Sequence, residues 1–199
     1  TSASYNQNFS VSAKESGPTD LFFKPDGLKV YIIGPNSDNV HQYNLTTAWD
    51  ISTASFYQSF SISTEETNPQ DLFFKDDGTK MYVCGWSGDD INEYDLSTGW
   101  DISTASYNQN FDVSAQVLGA YGLFFKPDGK KVWLSDAAGD QIAQYSLGTA
   151  WDISSASYQK NFSVANQEIT PTSVSFKDDG LKMYMIGSDY RAIWSYDLD

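Results

Sequence analysis

Cysteine and histidine are almost missing from this chain, with Cys84 and His41 the single instance of each. One cysteine excludes an internal disulfide, and one Cys with one His excludes a zinc site of the ordinary Cys/His type. Cys84 sits in an apolar run, where a small buried thiol is expected. Basic residues are scarce too: 12 Lys and Arg against 26 Asp and Glu leave a net charge of −14. That balance speaks against nucleic acid and anionic membrane as partners, because a phosphate-tracking surface needs clustered Lys and Arg. No stretch comes near the roughly 20 apolar residues of a membrane helix, so membrane insertion is not expected. No basic segment leading into an apolar run opens the chain, which reads as a processed or excised piece. Its compartment stays open, and the acidity favours an extracellular, surface or virion-associated setting.

What the chain has in abundance is periodicity. Lys-x-Asp-Gly recurs at Lys24–Gly27, Lys75–Gly78, Lys126–Gly129 and Lys177–Gly180, each copy 51 residues after the last. The same step separates Trp49, Trp100 and Trp151, each followed by Asp and Ile, and also Tyr43, Tyr94, Tyr145 and Tyr196. Four copies fill residues 1–199 without insertions and read as one domain.

Within a copy, short apolar runs alternate with turn residues, which predicts four strands and no helix. In the first copy these are Asp20–Lys24, Lys29–Ile33, Val40–Leu45 and Ser55–Ser63, with Pro25-Asp26-Gly27 as a tight turn. The second strand is apolar on both faces, as in Val30-Tyr31-Ile32-Ile33 and Met81-Tyr82-Val83-Cys84, so it needs cover from both sides. In the fourth strand, Phe56, Gln58, Phe60 and Ile62 are expected to point one way and Tyr57, Ser59 and Ser61 the other. With no helix to cover them, four such sheets cover one another by radial arrangement. The expected fold is therefore all-β, a four-bladed β-propeller with four antiparallel strands per blade. The chain begins in fourth-strand phase at Tyr5–Val11 and ends after a third strand, so the N-terminal strand is expected to complete the last blade and close the ring. A monomer follows from that closure; two chains exchanging terminal strands into an eight-bladed ring is the alternative.

The Phe-x-Lys-x-Asp-Gly turn, the Lys-Val/Met-Tyr/Trp strand after it and the Tyr-Asp-Leu end of strand three resemble propeller blades of the YVTN, NHL and WD-repeat kinds. The resemblance covers the whole chain and implies the fold; such propellers include enzymes, lectins and scaffolds. The Trp-Asp pairs here fall in the linker after strand three, while Asn44, Asp95, Ser146 and Asp197 hold the place of the WD-repeat aspartate. WD-repeat peptide recognition is therefore not carried over.

Two loop sets differ among copies: 13–19, 64–70, 115–121 and 166–172 before strand one, and 34–39, 85–90, 136–141 and 187–191 after strand two. Both emerge on one face. They read as unconstrained surface or as a site built from non-equivalent residues. Its candidate ligand-binding residues are Trp86, Tyr121, Tyr190 and Arg191, with Asp89 and Asp90 as polar partners, an arrangement suited to a sugar ring. Asp20 and Asp71 begin the strand nearest the axis. They are candidate oxygen ligands for Ca2+ or another cation in the central channel, against a turn-capping role; no other cofactor is expected. No Ser-His-Asp spacing and no phosphate loop is present. The expected function is a non-catalytic binding or structural module with a protein or glycan partner, part of a larger surface or virion protein or a symmetric engineered repeat. A lectin-like domain is the alternative and a hydrolase ranks last.

Overall fold

The computed structural model describes residues 4–177 and 179–198. The first copy folds as β1 (Asp20–Phe23), β2 (Lys29–Ile33), β3 (Asn39–Leu45) and β4 (Ala54–Ser61). The second gives β5 (Pro69–Phe74), β6 (Lys80–Gly85), β7 (Asp90–Leu96) and β8 (Ala105–Asp112), and the third β9 (Ala120–Phe125), β10 (Lys131–Asp136), β11 (Gln141–Leu147) and β12 (Ala156–Ser163). The fourth contains β13 (Pro171–Phe176), β14 (Lys182–Gly187) and β15 (Ile193–Asp197). Each copy is one antiparallel meander, four-stranded in the first three and three-stranded in the last. Among the described residues the only helical turns are three short 3-10 segments after Asp50, Asp101 and Asp152. No helix is long and apolar enough to cross a membrane. The chain is an all-β, four-bladed propeller.

Blades pack face to face. Tyr31, Ile33 and Val40 of the first blade meet Leu72, Phe74, Met81 and Val83 of the second in one buried cluster. Tyr82 and Cys84 meet Leu123, Phe125 and Val132 in the next, and Ile142 and Val164 meet Val174, Met183 and Met185 in the third. Each such side chain removed from water contributes about 1.5–3 kcal/mol, which is why the doubly apolar second strands dominate the core.

The two repeated motifs lock onto each other. Gly27, Gly78 and Gly129 have φ of +72°, +71° and +67°, the left-handed turn only glycine adopts freely. The indoles of Trp49, Trp100 and Trp151 lie against them, so close that a Cβ on Gly78 would stand 2.5 Å from the Trp100 ring. The tryptophans are themselves left-handed, with φ of 64–66°. Two neighbours hold them there: Trp100 N–H donates to Gly78 O at 3.1 Å, and its carbonyl accepts the Tyr31 hydroxyl of the preceding blade at 2.7 Å.

Two expectations need correction. The first concerns strand four. Gln42 pairs with Gln58 but Tyr43 with Phe56, so Tyr57 is an extra residue in the strand. This β-bulge flips the alternation, leaving Phe56 on the opposite face from Gln58 and Phe60. The second concerns closure. Tyr5–Val11 forms no strand in the last sheet, whose order is β13-β14-β15. Instead it lies on the first blade: Phe9 meets Tyr43 edge to face at 5.5 Å, Gln7 donates to Asp50 at 2.8 Å, and Val11 packs with Val30 and Ile32. Among the described residues no buried cluster joins the fourth blade to the first. Tyr184, Ile186 and Ile193 are exposed on one side of this seam and Leu21 on the other. The reason lies in the segment's own partners: the Phe9, Gln7 and Val11 contacts hold it on the first blade, across the open seam from β15. Between the blades, Phe22, Phe73, Phe124 and Phe176 follow one another at 5.3–5.9 Å between ring centres.

Candidate functional site

The two variable loop sets share a face and are held together by carboxylates buried between them. Glu66 accepts from Asn68 N at 2.7 Å, Ser87 N at 3.3 Å and Gly88 N at 3.1 Å. Glu168 accepts from Thr170, Asp189 and Tyr190, and Glu15 from Gly17 N and the Ser37 hydroxyl. All three are buried. Their space comes from Gly34, Gly85 and Gly187, where a Cβ would collide with the carboxylate. In the third copy both positions change together: Val117 replaces the glutamate and Asp136 the glycine. Asp136 then takes Leu118 N at 3.1 Å and Gly139 N at 3.0 Å. These loops are variable in their tips only. The signal was readable as a paired Glu/Gly to Val/Asp exchange at a 51-residue step, but sequence reasoning passed over it.

Trp86 and Tyr121 meet edge to face at 5.4 Å between ring centres, with the Trp86 ring over Gly119. Trp86 lies on the β6–β7 loop of the second blade and Tyr121 on β9 of the third, so the pair bridges the two blades. Asp90 is buried and receives Asn92 at 2.6 Å and Asn110 at 2.7 Å, which makes it a strut across the second sheet. Asp89 and Arg191 occupy the same turn as Asp38 and Asp140, left-handed with φ of 45–53°. Burial, and then the charges of Asp136 and Glu66, raises the Asp89 carboxyl above its usual range. Tyr190 is exposed on the fourth blade, and among the described residues no aromatic contact or hydrogen bond links its side chain or that of Arg191 to the Trp86 pair.

At the axis, Asp20 and Asp71 come together. Asp20 Oδ2 accepts from Leu72 N at 3.2 Å and Asp71 Oδ2 from Leu123 N at 3.0 Å, each reaching to the next blade. Burial first, and the Asp20 charge second, pushes Asp71 well above the ordinary carboxylate range; burial raises Asp20 as well. Gly122 and Ser173 hold the matching positions in the other blades, and among the described residues no cluster of three His, Cys, Asp or Glu side chains surrounds a point.

A pH dependence follows. A carboxyl with a raised folded pKa stabilises the fold fully below its unfolded value near pH 4. That contribution is lost as pH rises through the folded value. Asp71→Asn keeps an acceptor for Leu123 N without the charge. It is expected to raise the melting temperature at pH 7 by about 3–6 °C, from about 1–2 kcal/mol, and to flatten the decline between pH 4 and 7. Thermal melts of both proteins across that range check it; an unchanged profile counts against a raised Asp71 pKa.

His41 touches Ser37 (Nε2 to Oγ, 2.9 Å) and Ser59 (Nδ1 to Oγ, 2.8 Å). The Ser37 proton goes to Glu15, so the imidazole is not its base, and burial lowers the His41 pKa. This is a structural relay across the first blade.

No protein-family model matches the chain, and no curated protein does. Solved structures do. A 6-phosphogluconolactonase candidate from Bacteroides fragilis superposes with a TM-score of 0.67 at 16% identity, over 92% of this chain and 51% of that one. A periplasmic gluconolactonase from Pseudomonas aeruginosa gives 0.61 at 17%, over 90% and 49%. The Swd1 β-propeller domain from Myceliophteria thermophila gives 0.61 at 11%, over 92% and 54%. The likeness is one of fold. The chain spans about half the length of each. These matches overturn the expectation of a non-catalytic module that is not an enzyme, since propellers of this shape include chains named as lactonases. The expectation failed because it took missing nucleophile triads and unrepeated ligand sites as grounds against an enzyme, and neither decides what a fold hosts.

Proposed function

We propose that this chain is one arc of a propeller hydrolase that opens an uncharged lactone ring at the axial mouth. The observation that carries the reading is the pair of axial carboxyls, Asp20 and Asp71, each accepting a backbone N–H of the next blade, with burial raising both and Asp71 the further, the kind of environment that sets two carboxyls apart as base and acid. Asp20 takes a proton from water as its oxygen attacks the lactone carbonyl carbon. Asp71 gives its proton to the ring oxygen as the acyl C–O bond breaks, and the product is a hydroxy acid. Proton transfer from Asp20 back to Asp71 restores the pair. Tyr121 directly precedes the axial Gly122, so the Trp86–Tyr121 corner stands next to this mouth and suits the apolar face of a sugar-derived ring. Lys14 and Arg191 are the only cations in the two variable loop sets, and Lys14 lies 4.0 Å over the Phe56 ring. A phosphorylated lactone would meet an acidic face, so the unphosphorylated ring is the better substrate.

The test is titrimetric hydrolysis of glucono-δ-lactone and its 6-phosphate, corrected for the spontaneous reaction. Wild type is expected to hydrolyse the first faster than the second. Asp20→Asn and Asp71→Asn are expected to lose about 100-fold or more, the ordinary contribution of a positioned acid or base. No rate above buffer for either lactone, with the protein folded by circular dichroism, rejects the reading.

A further inference from the structure

We propose that two copies of this chain close one eight-bladed ring, each lending its Tyr5–Val11 segment as the fourth strand of the other's last blade. The argument rests on the seam and is independent of the lactonase reading. Tyr5–Val11 already stands where the outer strand of a preceding blade belongs. Phe9 on Tyr43 repeats Phe60 on Tyr94, Phe111 on Tyr145 and Phe162 on Tyr196. Gln7 to Asp50 repeats Gln58 to Asp101 and Gln109 to Asp152. Behind this segment lies a groove of about 520 Å³ lined by Leu21, Phe23, Val30 and Ile32. The matching residues of the second blade, Leu72, Phe74, Met81 and Val83, are fully covered by Tyr31, Ile33 and Val40.

The other side of the seam carries the complement. Tyr184, Ile186 and Ile193 are the fourth blade's counterparts of Tyr31, Ile33 and Val40, and all three are exposed. Among the described residues the buried Trp194 indole N–H has no partner. Its counterpart His41 bonds Ser59 on strand four, and the residue matching Ser59 is Asn8. A second copy seated head to tail therefore fills the groove with side chains of the kind that fill it inside the chain, and supplies an acceptor for Trp194. The length fits two copies: this chain superposes on about half the length of each matched chain. Because the contact is heterologous, it recurs at both seams, and a ring of two closes when each copy turns the chain through half a circle.

Light scattering on the 199-residue protein at tens of micromolar is expected to give twice the 22.2 kDa chain mass, with X-ray scattering of a closed disc. Gln42 and Gln58, Glu93 and Gln109, and Gln144 and Lys160 pair across strands three and four of complete blades. The equivalent pair is Ser195 and Gln7. Directly opposed residues are within disulfide reach, so the Gln7→Cys/Ser195→Cys protein is expected to run as a covalent dimer without reductant. Ile193→Lys, exposed on the single arc, is expected to halve the mass while preserving the β-sheet signal. A wild-type monomer, a cross-link within one chain, or a ladder of open polymers would each overturn the proposal.

Discussion

Glu66→Val is expected to lower the melting temperature by about 10 °C or more. The substitution leaves Asn68, Ser87 and Gly88 N–H groups without their acceptor between two packed loops. Buried donors left unpaired cost about 1–3 kcal/mol each, and about 3–5 kcal/mol in sum is a reasonable total for three partly solvated ones. A chain of this size shifts by about 2–4 °C per kcal/mol. Gly85→Asp alone is expected to be as damaging, because its Cβ would stand 2.5 Å from Glu66 Oε2 and bring a second charge. The double variant reproduces the Val117/Asp136 arrangement and is expected to recover most of the loss, with the new carboxylate accepting from Thr67 and Gly88. Thermal melts of the four proteins form a double-mutant cycle. Additive losses would mean that the exchange in the third copy is coincidental.

The second large effect lies at the Gly–Trp lock. Gly78→Ala forces a side chain into φ +71° and into the face of Trp100. The left-handed backbone costs about 1–2 kcal/mol and overpacking about 1–3 kcal/mol more, so a fall of about 10 °C is expected. Gly180→Ala shares the backbone term, φ +73°, but nothing lies within 4 Å of its Cβ position, and a fall of about 3–6 °C is expected. The difference between the two substitutions, read by calorimetry, isolates the indole contact. Equal falls would show that the tryptophan yields.

Much of the fold was legible because repetition exposes scaffold. The 51-residue step gave the blade count. The doubly apolar Met81–Cys84 run marked a strand covered on both faces, and Asp26-Gly27 marked a left-handed turn. Closure was not legible. Strand phase says which strand comes next but not which flank it lies on, and Phe9, Gln7 and Val11 hold the N-terminal segment on the first blade. The Tyr57 bulge was hidden for a related reason, since one extra residue inverts alternation without changing composition. Of the four candidate ligand residues, the structure brings Trp86 and Tyr121 into contact and leaves Tyr190 and Arg191 on the fourth blade. The sequence offered Asp20 and Asp71 as candidate ligands for an axial cation. The structure adds that each accepts a backbone N–H of the next blade, a link that only the blade packing reveals.

The unpaired edge of β15 gives the single arc a polarity. Among the described residues the last blade has three strands and one bare flank. Thermal or mechanical loss of structure then has a starting point, peeling inward from the carboxyl end one module at a time. Each blade that leaves strips the cover from the one before it, and a capped flank would turn this sequential peeling into a single cooperative event.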